Sequence, residues 1–152
     1  MIRTKKRLTL CITLIVLNLA LIWGNSLLSG DESGAMSGSV MQWVMAALHL
    51  PAEMTDTVHH LIRKAAHFSE FACLSILLTW LCGMLGERGF HLVCLPIWGG
   101  MTAALIDETI QLFSPDRGPS LVDVWIDTSG AAVGMMLLLI GHHWIKRTKR
   151  KM

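Results

Sequence analysis

The sequence predicts an all-α integral membrane protein, a four-helix bundle with one or two short interfacial helices in the outer connection between helices one and two. Composition points there first: 53% of the 152 residues are hydrophobic and only 16% are charged, with a mean hydropathy of +0.52. A soluble domain of this length needs a polar shell larger than its core, whereas lipid removes that demand and asks for apolar runs of about 20 residues. The chain supplies four such runs, and its basic residues gather at the two ends, as topology signals do. The reading is a single membrane domain over residues 1–152, with spans at about 8–28, 65–86, 90–112 and 121–145.

The first span is interrupted only by Asn18, Asn25 and Ser26. Its basic preface (Arg3, Lys5, Lys6, Arg7) resembles a signal peptide. The apolar run nevertheless exceeds the usual ~7 to 15 residues and no A-x-A site follows, so the segment is read as retained. The connection after it divides in two. Residues 29–39 are Gly/Ser-rich and predict a flexible linker. Residues 40–50, closed by Pro51 and carrying Trp43, are too short to span and predict a helix lying at headgroup depth. A second short helix is expected from Thr55 or Asp56, leading through His59, His60, Arg63 and Lys64 into the second span. The third span carries Pro96 and Gly99-Gly100, and the fourth carries Gly130, Gly134 and Gly141, residues commoner in membrane helices than in soluble ones. Cys11, Cys73, Cys82 and Cys94 all fall inside spans without a C-x-x-C pair and read as small packing residues.

Orientation follows from the basic residues beside short loops. Four precede the first span and five (Lys146, Arg147, Lys149, Arg150, Lys151) follow the fourth, which predicts a multi-pass protein with both termini in the cytoplasm. The turn at Glu87 and Arg88 then lies inside, and every other acidic residue falls on the outer side.

The informative residues are polar ones at the outer helix ends. Lys64, His67 and Glu70 recur every third position on one side of helix two. Helix three ends with Asp107, Glu108 and Gln111, of which Asp107 and Gln111 share a face. Asp116 and Arg117 occupy a Pro/Gly turn, and helix four begins with Asp123 and Asp127, again four apart. A charge facing lipid at mid-depth costs at least about 2.5 kcal/mol even on the lenient insertion scale, so these groups are expected to point inward around a polar pocket open to the outer leaflet.

Several uses of such a pocket are open at this point. Arg117 and Lys64 could grip an anionic headgroup or phosphate, with Gln111, Asn25 and Ser26 adding hydrogen bonds and Asp123 orienting Arg117. His67 with Glu70, Asp107 or Glu108 could serve as acid and base on a lipid-linked substrate, as in an intramembrane hydrolase or transferase. The charges could also simply pair to lock helix packing, leaving a structural partner of another membrane protein. A metal set drawn from His67, Glu70, Asp107 and Asp123 has no fixed spacing to support it, so no metal is assigned and any cofactor is left unknown. Nucleic acid is disfavoured as a partner, because the basic residues sit at short termini beside the bilayer.

Three strings carry a family resemblance: K-x-x-H-F-x-E-F at residues 64–71, D-E-x-x-Q-x-F at 107–113, and R-x-x-S-x-x-D-V-x-x-x-T-x-G at 117–130. In this order they resemble the VanZ-like family, over nearly the whole chain. The resemblance implies a four-helix bacterial membrane protein, and through the family's namesake a link to low-level resistance to teicoplanin, a glycopeptide that binds cell-wall precursors. It implies no particular reaction. The ligand expected on this basis is a lipid-linked cell-wall precursor or a glycopeptide, beside the bilayer itself. One departure is Asp127, where the family usually has Asn before the T-x-G; it adds an acid to the pocket.

Overall fold

Five α-helices and one short 3-10 turn are found among the described residues: α1 (Ile2–Leu27), α2 (Gly30–Ala47), the 3-10 turn (Ala52–Met54), α3 (Thr55–Leu85), α4 (Phe90–Gln111) and α5 (Leu121–Lys149). The computed structural model describes residues 2–115 and 117–149, with side chains for all of these except 2, 3, 30–34, 36 and 149. Asp116, Arg150, Lys151 and the side chains of Arg3 and Lys149, which the charge pattern above invokes, lie outside the described residues. Among the described residues four helices are long and apolar enough to cross a membrane, over Thr4–Leu27, Ala52–Leu85, Phe90–Gln111 and Leu121–Thr148. The four apolar runs read from the sequence each overlap one of these helices, with residues 28, 86 and 112 falling just past a helix end.

Helix ends follow local chemistry. Asp56 lies in the first turn of α3, where a carboxylate complements the helix dipole. The same helix continues without a break into the second span, so the short helix expected at Thr55 is its first part. It stops at Gly86, whose φ of 90° is a left-handed conformation open to glycine and whose N–H closes onto the carbonyls of Cys82 and Gly83. Ser120 begins α5: its carbonyl accepts the N–H groups of Asp123 and Val124, and its hydroxyl oxygen accepts that of Val122 at 3.2 Å.

The region expected to be a flexible linker is helical instead. Residues 30–39 and the apolar segment after them form the single helix α2, which packs on α3. The contact is partly polar, with Ser37 Oγ 2.8 Å from His59 Nε2. Glycine costs a helix about 0.5–1 kcal/mol relative to alanine, an amount that docking on a neighbouring helix readily offsets. Trp43, expected at headgroup depth, is 72% exposed on this helix.

The long helices alternate in direction, and α3 and α4 pack on one another while each also packs on α1 and α5. Ile22, Phe71, Leu74, Ala103, Ala104 and Val124 form the buried core. Large apolar side chains such as Leu21, Trp98 and Leu137 point out of the bundle, an exterior suited to lipid. The α3–α5 contact is close enough to require glycine. A Cβ on Gly130 would fall 2.4 Å from the Phe68 carbonyl oxygen, and one on Gly134 would fall 2.0 Å from that of Ala72. Small residues four apart let two helix backbones approach in this way where no hydrophobic force drives association. The four cysteines are free. Cys11 and Cys82 are buried as expected for packing residues, whereas Cys73 is exposed and faces out of the bundle.

Candidate functional site

The antiparallel arrangement brings the C-terminal ends of α1 and α4 beside the N-terminal ends of α3 and α5. That end of the bundle collects the polar side chains. Asp107 is fully buried, and Asp127, Glu108 and Gln111 are 2%, 7% and 8% exposed. Burying such groups is costly unless partners are supplied, and most of them have one.

Asp107 lies at the centre. Ser26 Oγ donates to its Oδ1 at 2.7 Å and Gln111 Nε2 donates to its Oδ2 at 2.8 Å. Gln111 Nε2 also reaches Ser26 Oγ at 3.3 Å, so three buried side chains from α1 and α4 close a ring. The Asp107–Gln111 pair was legible from its spacing of four. Ser114, one turn beyond Gln111, continues the same face and donates to the Ser26 carbonyl at 2.6 Å. Sequence reasoning passed over Ser114, although spacings of four and seven from Asp107 were there to read. Glu108 takes a different part, accepting the Ser120 backbone N–H at 2.7 Å and so tying α4 to the start of α5.

The cations distribute themselves differently from the expected pairing. Asp123 was expected to orient Arg117; it pairs instead with Lys64. The reason is geometric: Lys64 and Asp123 lie on α3 and α5, which pack directly together, while Arg117 leaves the connection between α4 and α5 toward α1. Arg117 Nη2 donates to the Asn25 carbonyl at 3.0 Å, and its Nε and Nη1 are buried without a hydrogen-bond partner among the described residues. Burial pushes the Arg117 guanidinium below its ordinary value and the nearby Arg63 adds to this, while Asp107 and Glu108 pull the other way. Glu70 accepts from Asn25 Nδ2 at 3.1 Å and stands 3.9 Å from His67 Nδ1.

Two clefts open onto this cluster. One, of about 200 Å³, is lined by His60, Arg63, Lys64, His67 and Arg117 together with Glu108, Gln111, Asp123 and Asp127. The other, of about 300 Å³, lies toward α2 and is lined by Asn25, Ser37, Arg63, His67 and Glu70 among others. Arg63 and His67 line both. The sequence-predicted residues are thus brought to one end of the bundle but not to one surface. Glu70 and Asn25 face the second cleft, while Asp107 and Ser26 are buried and line neither. His60 and Arg63 were not singled out as site residues, and their helical spacing from Lys64 and His67 was the available signal.

As for metals, the set His67, Glu70, Asp107 and Asp123 gives way to another. Donor atoms of His67, Asp107 and Asp127 lie within 4.8 Å of one another. Glu70 and Asp123 are committed to Asn25 and Lys64.

The fold and this site together define an all-helical multi-pass membrane protein with a charged cavity at one end of its bundle. The chain belongs to the VanZ-like family, matching VanZ/LLP1 over residues 10–142. No curated protein and no solved structure matches it.

Proposed function

We propose that the cavity binds, or acts on, an anionic or lipid-linked component of the bacterial cell envelope at the outer leaflet, with both termini in the cytoplasm. The observation that carries this reading is Arg117. Two of its guanidinium nitrogens are buried without a partner among the described residues, in a cleft that Arg63, Lys64 and His60 also line. A guanidinium offers its donors in a planar fork that matches phosphate or carboxylate. An anion entering the cleft would satisfy the unused N–H groups and offset the mutual repulsion of Arg63 and Arg117. The Gln111 amide lines the same wall, but its two N–H groups are already given to Asp107 and Ser26, so the donors for an anion are those of Arg117, Arg63 and Lys64. A link to teicoplanin-type resistance, through a lipid-linked cell-wall precursor as ligand, belongs to the same proposal.

His67 favours a second reading, an intramembrane hydrolase or transferase. It lines both clefts with a carboxylate, Glu70, 3.9 Å away, which is the placement a general base needs beside open volume. In that case Lys64 and Arg117 would hold the substrate's anionic group while His67 moves a proton.

The test is to identify the lipids and envelope precursors that co-purify with the wild-type chain and with Arg117→Ala. Hydrogen bonds to charged groups contribute about 1.5–3 kcal/mol each, so loss of the fork is expected to lower the amount of a bound anionic species tenfold or more. Equal amounts of the same species in both preparations would remove Arg117 from the binding role.

A further inference from the structure

At the cavity wall and just behind it lies a second constellation that anion binding does not use. His67 on α3, Asp107 on α4 and Asp127 on α5 each offer one ligand atom, and these atoms all lie within 4.8 Å of one another. Asp127 is 2% exposed and lines the larger-charged of the two clefts, yet it makes no hydrogen bond or ion pair to any described residue. His67 Nδ1 is likewise buried without a hydrogen-bond partner. Two buried carboxylates side by side, neither with a cationic partner within 4.0 Å among the described residues, form an arrangement that calls for positive charge.

We propose that His67, Asp107 and Asp127 bind one divalent transition-metal ion of the zinc type. Bonds of about 2.0–2.2 Å from imidazole nitrogen and carboxylate oxygen to zinc put donors on a shared ion at most about 4 Å apart. Side chains already gathered within 4.8 Å reach that spacing by small torsional adjustment. The mixed nitrogen and oxygen set suits zinc and its neighbours better than magnesium or calcium, which prefer oxygen throughout. Ser26 and Gln111, which donate to the two oxygens of Asp107, hold that carboxylate in place as outer partners do in metal sites. Three protein ligands leave a coordination position open, and His67 and Asp127 turn it toward the cavity.

Metal binding is separable from anion binding in experiment, because the metal alone is the probe. The full chain, purified in detergent and stripped with a chelator, is titrated with zinc by calorimetry and with cobalt by visible absorbance. One saturable equivalent per chain is expected, with the absorbance of a nitrogen-ligated cobalt. Loss of an outer partner alone lowers metal affinity about 10- to 100-fold, so Asp127→Asn and His67→Gln are each expected to weaken binding at least tenfold. Glu53→Gln, an exposed acid on the 3-10 turn, should bind as wild type does. Asp127 gives up no hydrogen bond on substitution, which makes Asp127→Asn the deciding variant; should it fail to elute as folded protein, His67→Gln decides. Absence of saturable uptake by the wild type, or wild-type affinity in the deciding variant, overturns the proposal.

Discussion

Asp107→Ala is expected to lower the thermal midpoint markedly, because the residue is fully buried and satisfies two buried donors. Its two oxygens accept from the Ser26 hydroxyl and the Gln111 amide, both of which are buried. Removing the carboxylate strands those donors, and an unsatisfied buried donor costs about 1–3 kcal/mol. Gln111 retains its 3.3 Å contact with Ser26 Oγ, which softens one of the two losses. The expected net cost is therefore about 2 kcal/mol or more, a large share of the stability of an ordinary domain. Asp107→Asn, which keeps one acceptor oxygen, should fall between wild type and Asp107→Ala. The readout is the fraction of detergent-extracted protein that elutes as a single species, together with its thermal midpoint. A wild-type midpoint in Asp107→Ala would mean that the ring of Ser26, Asp107 and Gln111 does not hold α1 to α4.

Gly134→Ala is the second large effect, and it arises from shape rather than charge. The added methyl would lie 2.0 Å from the carbonyl oxygen of Ala72 and 2.8 Å from its Cα, which are backbone atoms that no rotamer change can move. The two helices must separate, at the cost of about 1–3 kcal/mol typical of an overfilled core. Separation would also pull Asp123 and Asp127 on α5 away from Lys64 and His67 on α3, so the site should suffer with the fold. Gly141→Ala, on the same helix but with nothing within 4 Å of its new Cβ, should be neutral. Equal thermal midpoints for the two variants would contradict the close α3–α5 approach.

These two residues also mark how far the sequence could be read. Asp107 was legible because hydropathy fixed the spans, alternation fixed which helix ends lie together, and a buried acid at a helix end has few places to point. Its bond to Gln111 lies within one helix, and helical spacing alone reveals it. Gly134 was legible only as composition. That its face meets the Ala72 carbonyl is a relation between two helices, set by their rotation about their own axes, which one helix's periodicity does not determine. The same gap explains the pairing of Asp123 with Lys64 instead of Arg117, and the gathering of Asp127 with His67 and Asp107. In α2, local composition argued for a linker, and docking on α3 overrode it.

The proposed function requires that polar side chains from separate helices line one hydrated cavity reachable from outside the cell. It is tested most directly by thiol accessibility in intact cells, using a charged, membrane-impermeant reagent. The background is a chain whose Cys11, Cys73, Cys82 and Cys94 are replaced by alanine, carrying either Arg117→Cys or Asp123→Cys. Both positions line the same cleft from different elements, so the account expects both to be modified from outside without opening the cells. Labelling only after the cells are opened, or at neither position, would contradict it.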